Sequence, residues 1–240
     1  MNSRLFILYA FCFLFSIPIG AQTKNTHTNF IWLNYNNTVY INHKWKILND
    51  VQFRTRNWFQ YQSVLAVRSG LSYTINRHTS VAAGFAWFAN YKYINDAPII
   101  ANEYRPWQDV TFQSIFNNKK ILSNRIRIEE RFLQQIKNGG QTNFYDQRLR
   151  LRYRLEFGMP IVKSKITCNI GNEVMVNIDY LLSNRFFDQN RAYVFFNVPI
   201  LKNTLFQFQY LKIFQWQVDN NTLDNQNIFR CSIHQQLNAR

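Results

Sequence analysis

From Phe30 to Leu237 apolar and polar side chains alternate, and turn-forming residues interrupt the alternation about every twenty positions. A period of two places successive side chains on opposite faces of an extended strand, whereas a helix would repeat every 3.6 residues. The pattern predicts eleven strands, over residues 29–42, 45–57, 61–75, 79–93, 104–116, 121–135, 143–156, 164–178, 188–199, 204–218 and 225–238. In 204–218, Phe206, Phe208, Tyr210, Phe214 and Trp216 share one face, and Gln207, Gln209, Gln215 and Gln217 share the other with Leu211 and Ile213. In 143–156, Leu149, Leu151, Tyr153 and Leu155 oppose Arg148, Arg150, Arg152 and Arg154. In 121–135, Ile126, Ile128 and Phe132 oppose Arg125, Arg127, Glu129 and Arg131. Tight connections such as Asn117-Asn118-Lys119-Lys120 and Pro199 to Asn203 alternate with longer ones such as Ile94 to Asn102 and Asp179 to Phe187. That rhythm belongs to an up-and-down antiparallel meander.

Alternation alone leaves two barrels open. A soluble barrel buries the apolar face and wets the arginines, and an outer-membrane barrel turns the apolar face to lipid and the arginines to its lumen. The expected strands exceed the five or six residues usual in soluble sheets and cover the ~9–11 needed to cross a membrane. Phe, Tyr and Trp crowd the apolar face, as in an aromatic girdle. Lysines gather at turns (Lys44, Lys119, Lys120, Lys137, Lys163, Lys202) and arginines occupy strand interiors. These features favour an all-β fold, an antiparallel up-and-down transmembrane β-barrel of about 10–12 strands. Eleven is awkward, because single-chain bacterial barrels normally have an even number. Gln22 to Asn34 adding a crossing would give twelve, two segments merging would give ten, and an odd barrel with a parallel closure is the third arrangement. Lys212 and Glu130 fall on the apolar parity and should reach for the membrane boundary.

The N-terminus names a compartment. Arg4, the apolar stretch Leu5 to Ile17 broken only by Ser16, and Pro18-Ile19-Gly20-Ala21 ahead of Gln22 predict a secretory signal peptide over residues 1–21. Residues 22–240 then form a single barrel domain, placed in the bacterial outer membrane. A membrane anchor is the alternative, but the run is short for a span. Over 240 residues the mean hydropathy is −0.31, with 47% hydrophobic and 17% aromatic residues, which excludes a helical membrane protein and a disordered chain alike. Lys plus Arg number 28 against 13 acids, a formal charge of +15 that would suit nucleic acid. The arginines follow sheet parity instead of forming a basic patch with stacking aromatics, so nucleic acid is not the expected partner. Beyond Cys12 in the leader, Cys168 and Cys231 sit at mid-strand on the apolar face and are expected as buried free thiols. No CxxC, histidine cluster, Gly-x-Ser-x-Gly, HExxH or phosphate loop is present.

Several segments together carry a family likeness. Glu103-Tyr104-Arg105-Pro106-Trp107-Gln108, Arg125-Ile126-Arg127-Ile128-Glu129-Glu130-Arg131-Phe132, Arg148 to Tyr153, Asn172-Glu173 and Asp188-Gln189-Asn190-Arg191, in that order, resemble a Bacteroidota domain-of-unknown-function family, number 2490. The resemblance covers nearly the whole chain after the leader. It implies a signal-bearing outer-membrane barrel and no established activity, so it transfers no catalytic residue.

Function is then sought in the lumen. Arg54, Arg56, Arg68, Arg125, Arg127, Arg131, Arg148, Arg150, Arg152, Arg154, Arg191 and Arg230 can point inward, against Asp109, Glu129 and Glu173. The candidate ligand-binding set is Arg125, Arg127, Glu129, Arg131, Arg148, Arg150, Arg152, Arg154, Glu173 and Arg191. Rows of guanidinium groups would draw small anionic solutes into a pore. The competing reading is a polar plug, in which the same long side chains meet across the lumen and pass nothing. A third is an outer-membrane hydrolase, which needs a nucleophile beside a base. His43 and His78 lie at turns, and His234 beside Ser232 and Arg230 is a pairing that strand parity produces by chance. No catalytic residue, metal or cofactor is therefore expected. The expected partners are outer-membrane lipid, the barrel-assembly machinery and small anionic solutes.

Overall fold

A computed structural model describes residues 24–137, 139–161, 165–179, 186–217 and 222–239. The expected leader and its Ala21–Gln22 junction lie outside them. Eleven strands follow one another: β1 Lys24–Tyr40, β2 Trp45–Arg56, β3 Tyr61–Thr74, β4 Thr79–Ile94, β5 Ala97–Ile115, β6 Ile121–Lys137, β7 Gly140–Pro160, β8 Thr167–Asn177, β9 Phe187–Leu201, β10 Thr204–Gln217 and β11 Thr222–Asn238. Each pairs antiparallel with the next, and β1 pairs parallel with β11 to close the barrel. The seam runs unbroken from Lys24↔Thr222 to Tyr40↔Asn238. Neither proposed repair of the strand count is needed, since a parallel closure lets an odd number of strands meet. Lys24 to Thr28 lengthen the first crossing rather than adding another.

The long connection expected from Ile94 to Asn102 is a tight hairpin instead. Asn95 and Asp96 take positive φ (50° and 61°), and Ile94 pairs with Ala97. Asn and Asp tolerate the left-handed conformation that two-residue hairpin turns demand. Pro98 and the unalternating run after it mimic a loop, but pairing with β4 holds them extended.

The two faces separate as the alternation predicts. Leu33, Val51, Val67, Phe85, Ile126, Ile128, Tyr153, Ile170, Phe208 and Ile233 are exposed on the outer surface, and Gln52, Glu103, Asp109, Arg127, Glu129, Arg150, Arg152, Glu173, Gln207 and Gln209 are buried inside. The arrangement of a soluble barrel, with its apolar face within, is thereby overturned. Two small apolar clusters do face inward, Trp32 with Leu211, Ile213 and Ile228, and Ala66 with Ala86, Phe88 and Trp107. Gly70 and Gly84 pair across β3 and β4 and seat the Trp107 ring. A Cβ at either glycine would stand 2.5 Å from Trp107 Cζ2.

Polar groups on the outer face bond to one another. Asn172 and Asn190 exchange two 3.1 Å hydrogen bonds, and Tyr153 donates to Asn124 at 2.8 Å. Lys212 does not simply extend away: its Nζ donates to Asn227 Oδ1 at 3.0 Å, as does the Tyr210 hydroxyl, and Asn227 donates to Asn29 at 3.1 Å. Cys168 and Cys231 are free thiols, but half-buried on this outer face rather than fully buried. Arg56 is also corrected. Arg56, at the end of β2 beyond the register shift that skips Ser63 of β3, is exposed over the Tyr61 ring rather than lining the lumen.

Candidate functional site

The lumen has two unlike walls. On the first, β6 and β7 set Arg125 opposite Arg154, Arg127 opposite Arg152, Glu129 opposite Arg150 and Arg131 opposite Arg148. Three of these four pairs join like charges across a strand spacing of about 4.8 Å, an arrangement that repels unless acids intervene. Acids arrive from flanking strands. Glu103 of β5 accepts from Arg105 at 2.7 Å and Arg131 at 2.6 Å, and Asp109 accepts from Arg127 at 2.5 Å. Glu129 bonds Arg150 through one oxygen and Arg152 through the other, the latter at 2.5 Å. Glu173 of β8 holds Arg125 at 2.6 Å and Arg152 at 2.8 Å, with Arg191 at 3.8 Å, and Asp188 of β9 takes Arg150 at 3.0 Å. Aromatic faces support the same wall: Arg127 Cζ lies 4.2 Å from the Trp107 ring centre and Arg105 Cζ 3.9 Å from that of Phe88.

Most of the candidate set thus meets in one network. Arg125, Arg127, Glu129, Arg131, Arg150, Arg152 and Glu173 are joined, and Arg191 stands at its edge. Arg148 and Arg154 share the wall, but Arg148 Nη1 and Arg154 Nε are buried without a hydrogen-bond partner among the described residues. Parity alone missed Glu103, Arg105, Asp188, Asp50 and Glu156. Arg105 could have been found, because it alternates with Glu103 and Trp107. Glu103 lay just outside the expected strand.

The second wall is built at the closure seam. Trp32 of β1 is flanked by Arg230 of β11 and Arg54 of β2. Arg54 Cζ lies 4.1 Å from the Trp32 ring centre, and Arg191 Cζ lies 5.8 Å from it. Here the partners are neutral amides: Arg54 donates to Gln52 Oε1 at 2.6 and 3.1 Å, and Arg230 to Gln207 Oε1 at 3.2 Å. Between the walls lies a cavity of about 510 Å³, lined by ten arginines and only four carboxylates, Asp50, Glu103, Glu156 and Glu173. The lining carries a surplus of positive charge, although Glu129 and Asp109 behind it offset part of that surplus.

His234 faces this cavity with its Nε2 3.5 Å from Asn36 Nδ2. Ser232 Oγ has no hydrogen-bond partner among the described residues, so Ser232 and His234 do not form a nucleophile and base pair. Among the described residues no three His, Cys, Asp or Glu side chains gather as a metal site would require.

The family model of DUF2490, described as a protein of unknown function, matches residues 29–224. The chain belongs to the DUF2490 family. The match runs from Asn29 in β1 to Asp224 at the start of β11, so it includes the β5–β9 wall and, of the seam wall, Trp32 and Arg54 but not Arg230. No curated protein matches the chain. Among solved structures, the crystal structure of the β domain of the Bordetella autotransporter Brka is similar at a TM-score of 0.46 and 8% identity, covering 74% of this chain and 80% of that one.

Proposed function

We propose that this DUF2490 barrel lies in the bacterial outer membrane and acts as a small pore whose lumen favours anions. The observation that carries the reading is the excess of guanidinium over carboxylate around an interior cavity, inside a wall whose outer face is apolar. Strands of 11 to 21 residues are long enough for the ~9–11-residue crossing. Outward polar groups that bond to one another suit surroundings without water, where an unpaired amide is costly. Arginine rows lower the barrier for anions and raise it for cations. In this reading residues 1–21 direct export, the barrel-assembly machinery inserts the strands, and no reaction is catalysed.

A second reading is supported by the β5–β9 network. Side chains locked to one another across five strands resemble a rigid plug more than a conduit. Planar-bilayer recording on the refolded protein separates the two. The pore reading expects discrete conductance with a reversal potential shifted toward chloride in a salt gradient. An inserted, folded barrel that passes no current selects the plug.

A further inference from the structure

The seam wall carries a set of buried polar atoms that the fold leaves without partners. Trp32 Nε1, Arg230 Nε, Gln209 Oε1 and Asn34 Oδ1 have no hydrogen bond among the described residues. Trp32, Gln209 and Asn34 are only 4%, 2% and 8% exposed, and all four side chains line the lumen cavity. Burying an amide or indole without a partner is costly, and native structures leave few such groups. Here they are neighbours. Trp32 pairs with Arg230 and Arg230 with Gln209, so three adjacent strands present them side by side, and Asn34 is the next inward residue along β1. At a strand spacing of about 4.8 Å they fall within a patch roughly 10 Å across.

Their chemistry is mixed. The indole and guanidinium N–H groups need acceptors, and the charge of Arg230 and of Arg54, both held by neutral amides, favours an anion. The amide oxygens of Gln209 and Asn34 need donors. A bare anion such as chloride or acetate answers the first group and leaves the second facing a negative charge, and a neutral sugar answers the hydrogen bonds and leaves the charge unmet. A hydroxylated carboxylate supplies acceptors, donors and charge together. We infer that Trp32, Asn34, Gln209 and Arg230, with Arg54 beside them, form a binding subsite for a small sugar acid. The cavity of about 510 Å³ is of the size of small-molecule sites generally, ~300–1,000 Å³. The inference rests on the lumen being open to solutes from at least one rim, a part of the pore reading that does not require conduction, and it adds where a solute pauses and what kind it is.

The test is titration calorimetry on the full barrel in detergent micelles with galacturonate, glucose and acetate as probes, beside chloride conductance of the same preparation. Galacturonate should bind at least about tenfold tighter than glucose or acetate, the scale of one charge-assisted hydrogen bond. Gln209→Leu should weaken galacturonate by about tenfold and leave acetate unchanged, since acetate has no donor to meet the unpartnered Oε1 that this change removes. Asn34→Val, on another strand, takes its place if Gln209→Leu fails to show the heat-modifiable migration of a folded barrel. Equal binding of galacturonate and acetate, or of galacturonate and glucose, overturns the subsite. So does a barrel that conducts chloride and binds none of the probes, an outcome that leaves the pore reading standing. Galacturonate binding that Gln209→Leu weakens, in a barrel that conducts nothing, upholds the subsite and removes the pore.

Discussion

The two walls of the lumen solve the same problem in opposite ways. Along β5–β9 the arginines outnumber the acids, yet Glu103, Glu129 and Glu173 each receive two or more guanidinium groups, and among the described residues only Arg148 and Arg154 of this wall lack an ion pair. Along the β1–β11 seam the arginines lean on Trp32 and on glutamine amides, and several polar atoms are left unanswered. Carboxylates shared between arginines make the first wall a structural brace. Charge held only by amides makes the second the place where an anionic solute can gain something by arriving.

Breaking the brace should give the largest effect. Glu129→Leu strands Arg150 and Arg152 without their shared carboxylate, and removing one partner of a buried ion pair typically costs about 3–5 kcal/mol. Urea unfolding in lipid or detergent should show that loss, and a change below about 1 kcal/mol would falsify the brace. The paired change Arg150→Glu with Arg152→Glu acts on the same wall and should lower thermal stability more than it alters selectivity. Selectivity that shifts while stability holds would move the anion filter to β7.

A somewhat smaller loss is expected where the brace rests on its aromatic floor. Gly84→Ala forces a Cβ against the Ser69 carbonyl oxygen of β3 and against Trp107, which underlies Arg127, and overpacking of this kind costs about 1–3 kcal/mol. A melting temperature equal to the parent's would mean that the β3–β4 backbone and the ring both have room to move.

The seam should behave differently under substitution. Arg54→Gln removes a charge held by a neutral amide, so stability should change by no more than about 1 kcal/mol. The reversal potential in a salt gradient should nevertheless move away from chloride, and an unchanged potential counts against a filter at the seam. The smallest effect belongs to the outer face. Lys212→Met trades one bond to Asn227 for apolar surface and should alter stability by about 1 kcal/mol or less, in the stabilising direction if that position lies in hydrocarbon. A marked destabilisation would indicate that the Lys212–Asn227–Asn29 chain joins β10, β11 and β1 more firmly than the backbone seam does.

Much of this contrast was hidden in the sequence for a physical reason. Parity is a local property, so the inward placement of Arg148, Arg150, Gln207 and Gln209 was legible from alternation alone. Partnership depends on register between strands, which no single segment encodes. Thus the like-charge neighbours on β6 and β7 were foreseeable from two adjacent runs of arginine, but the relief supplied by Glu103, Asp109 and Asp188 was not. Arg56 was misplaced because it is the last residue of β2, where the strand reaches the rim and alternation no longer decides which way a long side chain leans. Pro98 disguised the start of β5. The parallel seam left no mark in either partner, since β1 and β11 alternate like any other strand.

That seam also decides geography. With an odd number of crossings, β1 begins at the rim opposite the one where β11 ends: Lys24 stands beside Thr222, and Tyr40 beside Asn238. In a bilayer, a reporter joined ahead of Lys24 and another joined beyond Asn238 would report from separate compartments, whereas a barrel with an even number of strands returns both to one side. A membrane-impermeant protease added to intact cells should therefore clip one and spare the other.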